Sequence, residues 1–324
     1  MTVTQLSNSL KEYFLIKDYI EFNPEDIISK TDKSTLFTGS TISTFKQVFV
    51  NNYSIETSFF LLQNCLRTQN ILTIYDDTVL PRWSSYFCSF GAITNYDNLI
   101  NITHHIVDFF LLVLKVKENE LFLRVTSADK DLLELSNNLS SKCKIEIDSK
   151  PNEYYRHKFG MDNVVGRNCN LGIKNNETNE INDIGNIIVL EHNEQIIGVE
   201  IAFGLENILC RFYKTIHPID FSKIANIMDL EEDDHYKMAD AIVSSIVIMR
   251  NGIKPNSTNR GRVLRKYLKG ILYLKNKLNY DFEMIRSICF QYEELEFEKV
   301  CDESLKIVDY LKKYELSVLE VEKL

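Results

Sequence analysis

Apolar residues recur at helical spacing near both ends of the chain and in strand-like runs between them. Leu6, Leu10, Tyr13, Phe14 and Ile20 predict a short amphipathic helix, broken by Asn23-Pro24-Glu25-Asp26. A strand-like segment around Leu36 to Thr38 follows, then a Ser/Thr-rich turn and Phe45-Lys46-Gln47-Val48-Phe49. Phe59 to Arg67 and Arg82 to Phe90 read as two β segments joined by a polar loop, Thr68 to Pro81. Asn98 to Val116 reads as a long apolar helix; its adjacent His104 and His105 cannot share one helical face, which gives them structural roles. Leu121 to Val125 predicts a strand, Asp129 to Leu135 the start of a helix, and Asn152 to Asp183 is rich in Asn, Gly and Asp. Ile242, Val243, Ile246, Val247 and Met249 return to helical spacing until Asn251-Gly252, which tolerate positive φ, stop the helix. Pro255 sits in a short turn, and Ser257 or Thr258 is placed to cap the next helix. From Val263 the pattern of Leu264, Leu268, Leu272, Leu278, Met284, Ile285, Val300, Leu305, Val308 and Leu311 predicts a helical bundle. The expected class is α+β, with an antiparallel β-sheet flanked by helices and a separate C-terminal helical region; the domain boundary is expected between 1–215 and 216–324.

Composition narrows the picture only in places. The chain has 324 residues, 44% hydrophobic and 26% charged, as in ordinary globular proteins. No apolar run approaches the roughly 20 residues that cross a bilayer, and Phe109 to Val116 is the most apolar stretch. The N-terminus lacks a basic-then-apolar signal pattern, so a cytoplasmic location without a membrane partner is expected. Seven scattered Cys without a C-x-x-C pair point to reduced thiols and to no metal site. A net charge of −9 argues against indiscriminate nucleic-acid binding and against DNA as a partner. Against that background, Arg250 to Lys277 holds nine Lys or Arg and no acidic residue. Lys254, Arg260, Arg262, Arg265, Lys266 and Lys269 are expected to form one exposed basic surface. On a helix beginning near Arg260, positions 262, 265, 266 and 269 share a face suited to an RNA backbone. Asp229 to Asp234 reads as a solvated acidic turn.

Gly252, Pro255, Arg260, Gly261, Val263, Leu264 and Arg265, with Ala239-Asp240 upstream, keep the spacing of a segment that opens the tRNA-contacting helical region of alanyl-tRNA synthetases. Phe37, Thr38, Phe45, Lys46, Val48 and Phe49 keep the spacing of another segment of that family. Gln63-x-Cys65-x-Arg67 and Arg82-Trp83-Ser84-Ser85-Tyr86-Phe87 resemble motif 2 of class II aminoacyl-tRNA synthetases, with Gly91 in register. Ile184-Gly185-Asn186-Ile187-Ile188-Val189 and Gly204-Leu205-Glu206 follow in the family's order, the latter as motif 3. The chain thus resembles a shortened, divergent alanyl-tRNA synthetase-like catalytic core. The likeness covers residues 1 to about 280.

The resemblance implies an ATP-dependent ligase that forms an aminoacyl-adenylate and passes it to a tRNA acceptor stem or another carrier. It implies ATP and Mg2+ as cofactors and an amino acid as substrate. It implies that Arg67 holds the α-phosphate and carboxylate as the catalytic arginine. Arg82, Phe90, Gly204 and Asn207 fall at ATP-site positions, Asn186 beside the amino acid, and Glu200 against its ammonium. The chemistry suits Arg67, because a rigid guanidinium fork matches charge growing on a phosphate.

The chain departs from the family in informative places. Trp83 and Ser84 replace paired His, Cys88 replaces a Glu, and Ala92 an Asn. Asn207 stands where the family's γ-phosphate Arg stands, and Lys158 to Cys169 matches the family's active-site floor weakly. Gly185 replaces a Trp, which implies room for a larger or different substrate. These changes open the alternative of a catalytically degenerate paralogue that binds an amino acid, RNA or a protein.

Overall fold

The computed structural model describes residues 1–51, 53–161 and 163–321; Asp162, inside the weakly matching segment, lies outside them. The chain forms two compact units. The first comprises Met1–Glu25, Ser29–Asn64 and Cys88–Lys214; the second comprises Asp26–Ile28, Cys65–Phe87 and the chain from Thr215 onward.

The first unit is built on a sheet whose strands are β1 (Ile20–Glu21), β2 (Phe59–Leu66), β3 (Tyr86–Thr94), β4 (Leu121–Val125), β5 (Lys144–Ile147), β6 (Arg156–Lys158), β7 (Val164–Lys174), β8 (Ile181–His192) and β9 (Gln195–Gly204). Their order is β1-β2-β3-β9-β8-β7-β4-β5, with β6 paired to β7. The pairings from β3 through β9, β8 and β7 to β4 are antiparallel, while β1–β2 and β4–β5 are parallel. This is the expected α+β architecture.

Side chains alternate across a strand, and paired residues share a face. One face therefore carries Gly91, Ile93, Asn186, Ile188, Glu200 and Ala202. The opposite face carries Phe90, Gly185 and Phe203.

Helix α1 (Val3–Ile16) covers the second face. Thr2 and Gln5 close a capping box at its start, and Leu6, Leu10 and Phe14 form its buried stripe. Phe14 packs on Phe90 with ring centroids 4.8 Å apart. The helix ends before Ile20, because Asp18 turns at φ 62 and Ile20 pairs with Phe59 instead. On the first face lies α2 (Thr41–Phe49), whose Ile42, Phe45 and Phe49 bury against Leu61, Ile93, Ile188 and Leu190. Each such side chain contributes roughly 1.5–3 kcal/mol of burial.

The segment around Leu36 to Thr38 is irregular, not a strand. Just before it, Ser29 accepts from the Asp32 amide and Asp32 from the Ser34 amide, so side chains take over backbone partners and favour turns. Helix α3 (Leu99–Asp108) is shorter than predicted. It widens into a π-turn at Phe109–Val113 and stops as Lys115 turns at φ 61. Helices α4 (Lys130–Leu139) and α5 (Leu205–Tyr213) complete this unit.

The second unit holds α6 (Asp233–Arg250), α7 (Asn259–Lys277), α8 (Phe282–Phe297), α9 (Asp302–Leu305) and α10 (Ile307–Val321). Helix α6 is buried on nearly every side. It ends at Asn251, and Gly252 takes φ 78 as the sequence predicts. Thr258 begins α7 without a hydroxyl cap; Asn256 Oδ1 accepts the Thr258 amide at 2.8 Å and fixes the turn. Gly261 is required there, since a Cβ would collide with the Asn256 side chain. The acidic turn feeds α6: Asp234 pairs with Lys277 at 2.6 Å. Among the described residues, no helix is long and apolar enough to cross a membrane.

Candidate active site

In the first unit the polar centre is the sheet face that carries Asn186 and Glu200. Glu200 lies opposite Ile188, and Ala202 opposite Asn186, so the two polar residues are diagonal neighbours on adjacent strands. Glu200 is 1% exposed, and its carboxylate accepts the Thr41 hydroxyl at 2.7 Å. Thr41 opens α2 and lies directly over Gly91, where its side chain leaves no space for a Cβ. Asn186, Ala202 and Gly204 are only half-buried, which leaves a small-residue floor beside Glu200 and Asn186.

Beyond Asn186 the same face becomes densely polar. Asn186 pairs with Asn170 on β7, and Asn170 with Arg124 on β4. Arg124 binds Glu146 at 2.6 Å, Asp183 at 2.9 Å and Asp148 at 3.1 Å. Asp183 also accepts Tyr154 Oη–H at 2.6 Å and the Asn170 amide at 2.9 Å. Burial works to raise the Asp148 carboxyl, but the Tyr155 hydroxyl, the Lys150 amide and Arg124 outweigh it and hold it below the usual range. Lys46 of α2, 7% exposed, pairs with the buried Asp32 at 2.7 Å.

The motif 3 positions are engaged within the unit. Both Glu206 oxygens accept the Cys88 amide, at 3.1 and 3.0 Å. Asn207 donates to the Asp183 carbonyl at 3.1 Å. Gly204 ends β9 and starts α5. Phe90 lies on the opposite face, fully buried between Phe14 and Phe60. Gly185 shares that opposite face, and a Cβ there would run into the Phe203 ring. The room expected from the missing Trp is therefore filled by Phe203.

The second unit holds the other candidates. Arg67 follows β2 and is exposed; its amide donates to the Ser85 carbonyl at 2.8 Å and its guanidinium lies 5.2 Å from the Phe87 ring centroid. Arg82 is exposed in the loop before β3. That loop is tied down by Asp240, which accepts the Ser85 amide at 2.6 Å, the Ser85 hydroxyl at 2.5 Å and Asn70 at 3.1 Å. Tyr267 donates in turn to Ser85 Oγ at 3.0 Å. Burial pushes the Asp240 carboxyl up against these donors.

On α7, Arg262, Lys266 and Lys269 are exposed along one side and have no acidic partner among the described residues. Arg260 and Arg265 are half-buried, and Arg265 lies near Tyr314 of α10. Lys254 is exposed with Glu303 in electrostatic range. Thr41 and Arg124, which reach this face through Glu200 and Asn170, stand at positions that carry no motif in the sequence.

The chain is similar along 95% of its length to an alanine–tRNA ligase. That relative, from Buchnera aphidicola subsp. Schizaphis graminum, is 21% identical over 380 aligned positions, and the match spans 42% of its length. The match bears out the synthetase-like resemblance read from the motifs. No family model matches the chain. Among solved structures, a putative threonyl-tRNA synthetase, ThrRS-1, from Aeropyrum pernix matches at 10% identity and a TM-score of 0.45, covering 76% of this chain and 68% of that one. An asparaginyl-tRNA synthetase from Entamoeba histolytica, solved with asparaginyl-adenylate, matches at 12% identity and a TM-score of 0.41, covering 68% of this chain and 64% of that one.

Proposed function

We propose that this chain is an alanyl-tRNA synthetase-like amino-acid ligase core. The observation that carries the reading is the buried Glu200 carboxylate, diagonal to the half-buried Asn186 above a floor of Ala202 and Gly91. A carboxylate held dry attracts an ammonium far more strongly than one in water. In this reading Glu200 receives the substrate ammonium, and Asn186 orients the amino acid.

The ligase chemistry is a displacement at the α-phosphorus of ATP. A substrate carboxylate oxygen forms the new P–O bond, and pyrophosphate leaves with the electrons of the broken one. Arg67 is the anion-binding residue that the resemblance implies, and Arg82 and Gly204 stand at positions to which the same resemblance assigns nucleotide binding. The acceptor hydroxyl of a tRNA or another carrier then displaces AMP. The exposed stripe of Arg262, Lys266 and Lys269 supports an RNA acceptor, flanked by Lys254, Arg260 and Arg265. Mg2+ is implied by the resemblance together with ATP, and Glu206 accepts the Cys88 amide on both oxygens. No step here runs through a metal.

One observation favours the second reading, a paralogue that binds without catalysis. Asn207 at the γ-phosphate position is turned back to the Asp183 carbonyl and brings no charge. Amino-acid-dependent exchange of labelled pyrophosphate into ATP, run across the proteinogenic amino acids, separates the two. Exchange with any one amino acid supports the ligase. Calorimetric binding of an amino acid without exchange supports the binding paralogue.

A further inference from the structure

We infer that the amino-acid pocket selects a neutral side chain ending in a hydrogen-bond donor, a hydroxyl or a carboxamide, and that Asn168 Oδ1 receives it. This rests on the amino-acid reading of the Asn186–Glu200 face given above.

The inference comes from the polarity of a chain of side chains. Asp183 only accepts, and it receives Arg124, Tyr154 and Asn170. Asn170 must therefore turn its NH2 toward Asp183, which leaves Asn170 Oδ1 facing Asn168 and needing a donor. Asn168 supplies its own NH2 there. The orientation of both amides is thus dictated by the carboxylate at the root of the chain. Asn168 Oδ1 is left as the terminal acceptor, buried and without a hydrogen-bond partner among the described residues. Asn168 is 1% exposed, so bulk water does not serve this oxygen. Buried polar atoms are usually paired, and what sets this one apart is that it is fixed as an acceptor diagonal to the proposed substrate position, where a donor from the substrate can reach it.

Position supports the assignment. Asn168 pairs with Ile188 and Asn170 with Asn186, so Asn168 is the diagonal neighbour of Asn186 on the same sheet face. Such neighbours lie about 7–8 Å apart, within the reach of a short side chain carried by an amino acid at Asn186. The donor is neutral because its acceptor is an uncharged amide oxygen, and Asp183, Asp148 and Glu146 are each already engaged by Arg124. A buried ammonium would need a carboxylate of its own. The methyl group of alanine would leave Asn168 Oδ1 orphaned.

The test is calorimetric titration of the full chain with L-serine, L-threonine and L-asparagine against L-alanine and L-2-aminobutyrate. The last of these has the shape of serine without its hydroxyl. Sites that bind a substrate donor reject analogues lacking it, so at least one polar amino acid is expected to bind about tenfold or more tighter than both apolar ones. Asn168→Leu is expected to collapse that ratio toward one, with folding checked by circular dichroism. Should this variant fail to fold, the wild-type ratio of the tightest-binding polar amino acid to 2-aminobutyrate decides alone. Equal or tighter binding of the apolar pair overturns the inference, as does an undiminished ratio in folded Asn168→Leu. Binding of no amino acid at all overturns the amino-acid reading itself, a result distinct from binding of the wrong class.

Discussion

Thr41 and Glu200 lie 159 residues apart and are joined by a hydroxyl-to-carboxylate hydrogen bond of 2.7 Å in which neither partner is exposed. Glu200 carries its carboxylate on a long, flexible arm. The hydroxyl at the start of α2 gives that arm a fixed end, and Gly91 makes room for the contact.

Thr41→Val keeps the shape and deletes the donor. A buried carboxylate left short of a donor costs about 1–3 kcal/mol, so the variant is expected to lose that much stability in urea titration. Thr41→Ser should restore most of it. A Val variant as stable as wild type would show that the bond adds nothing.

Lys46→Met breaks the buried pair with Asp32. Removing one partner of such a pair typically costs about 3–5 kcal/mol. Burial tends to raise the Asp32 carboxyl, but Lys46 and Ser34 outweigh it and lower its pKa. A carboxyl lowered in the folded state adds stability above its unfolded value and loses it as the pH falls. The deficit of Lys46→Met should therefore be large at pH 7 and shrink on acidification, read from denaturation midpoints across that range.

Asp240→Asn tests the opposite sign. An amide in this site sets N–H against Asn70 or Ser85 donors, for an expected loss of about 1–3 kcal/mol. Burial raises the wild-type carboxyl, so its contribution is greatest at low pH and declines as the pH rises through its folded value. The gap between wild type and variant should widen toward acid, the reverse of the Lys46→Met trend. A gap that narrows toward acid would contradict this account of Asp240.

The α7 stripe makes a prediction about salt. Replacing Arg262, Lys266 and Lys269 together by Ala should weaken binding of a tRNA pool and reduce the salt slope by about one unit for each phosphate no longer neutralised. Stability should change little, because all three are exposed. Equal and salt-insensitive binding by both proteins would remove RNA as the partner of this face.

The parts of the fold legible in the sequence are those where burial and periodicity agree. Leu6, Leu10 and Phe14 mark α1, and Asn251-Gly252 mark the end of α6. Strand β7 was hidden for a physical reason. Its one face is Gly166, Asn168 and Asn170, which reads as loop, yet Phe159 closes over Gly166 and the two Asn residues bond to each other. The altered ends of α1 and α3 depend on single positive-φ residues, Asp18 and Lys115, that no periodicity announces. In the site, Asn186 and Glu200 could be placed in sequence by their neighbours. Thr41, Asn168 and Arg124 reach the same face only through the pairing of strands and helices far apart in the chain.

Asp240 grips Asn70 near one end of the Thr68 to Pro81 loop and Ser85 just beyond the other. One carboxylate thereby sets the distance between the loop's two feet, while Lys237 and Lys277 hold its middle at Asp76 and Asp77. Lengthening a loop whose feet are fixed costs little, about 0.6 kcal/mol for each doubling. Insertions beside the exposed Val79 should therefore be absorbed, and sequence length can drift there while Asn70, Ser85 and Asp240 must change together or not at all.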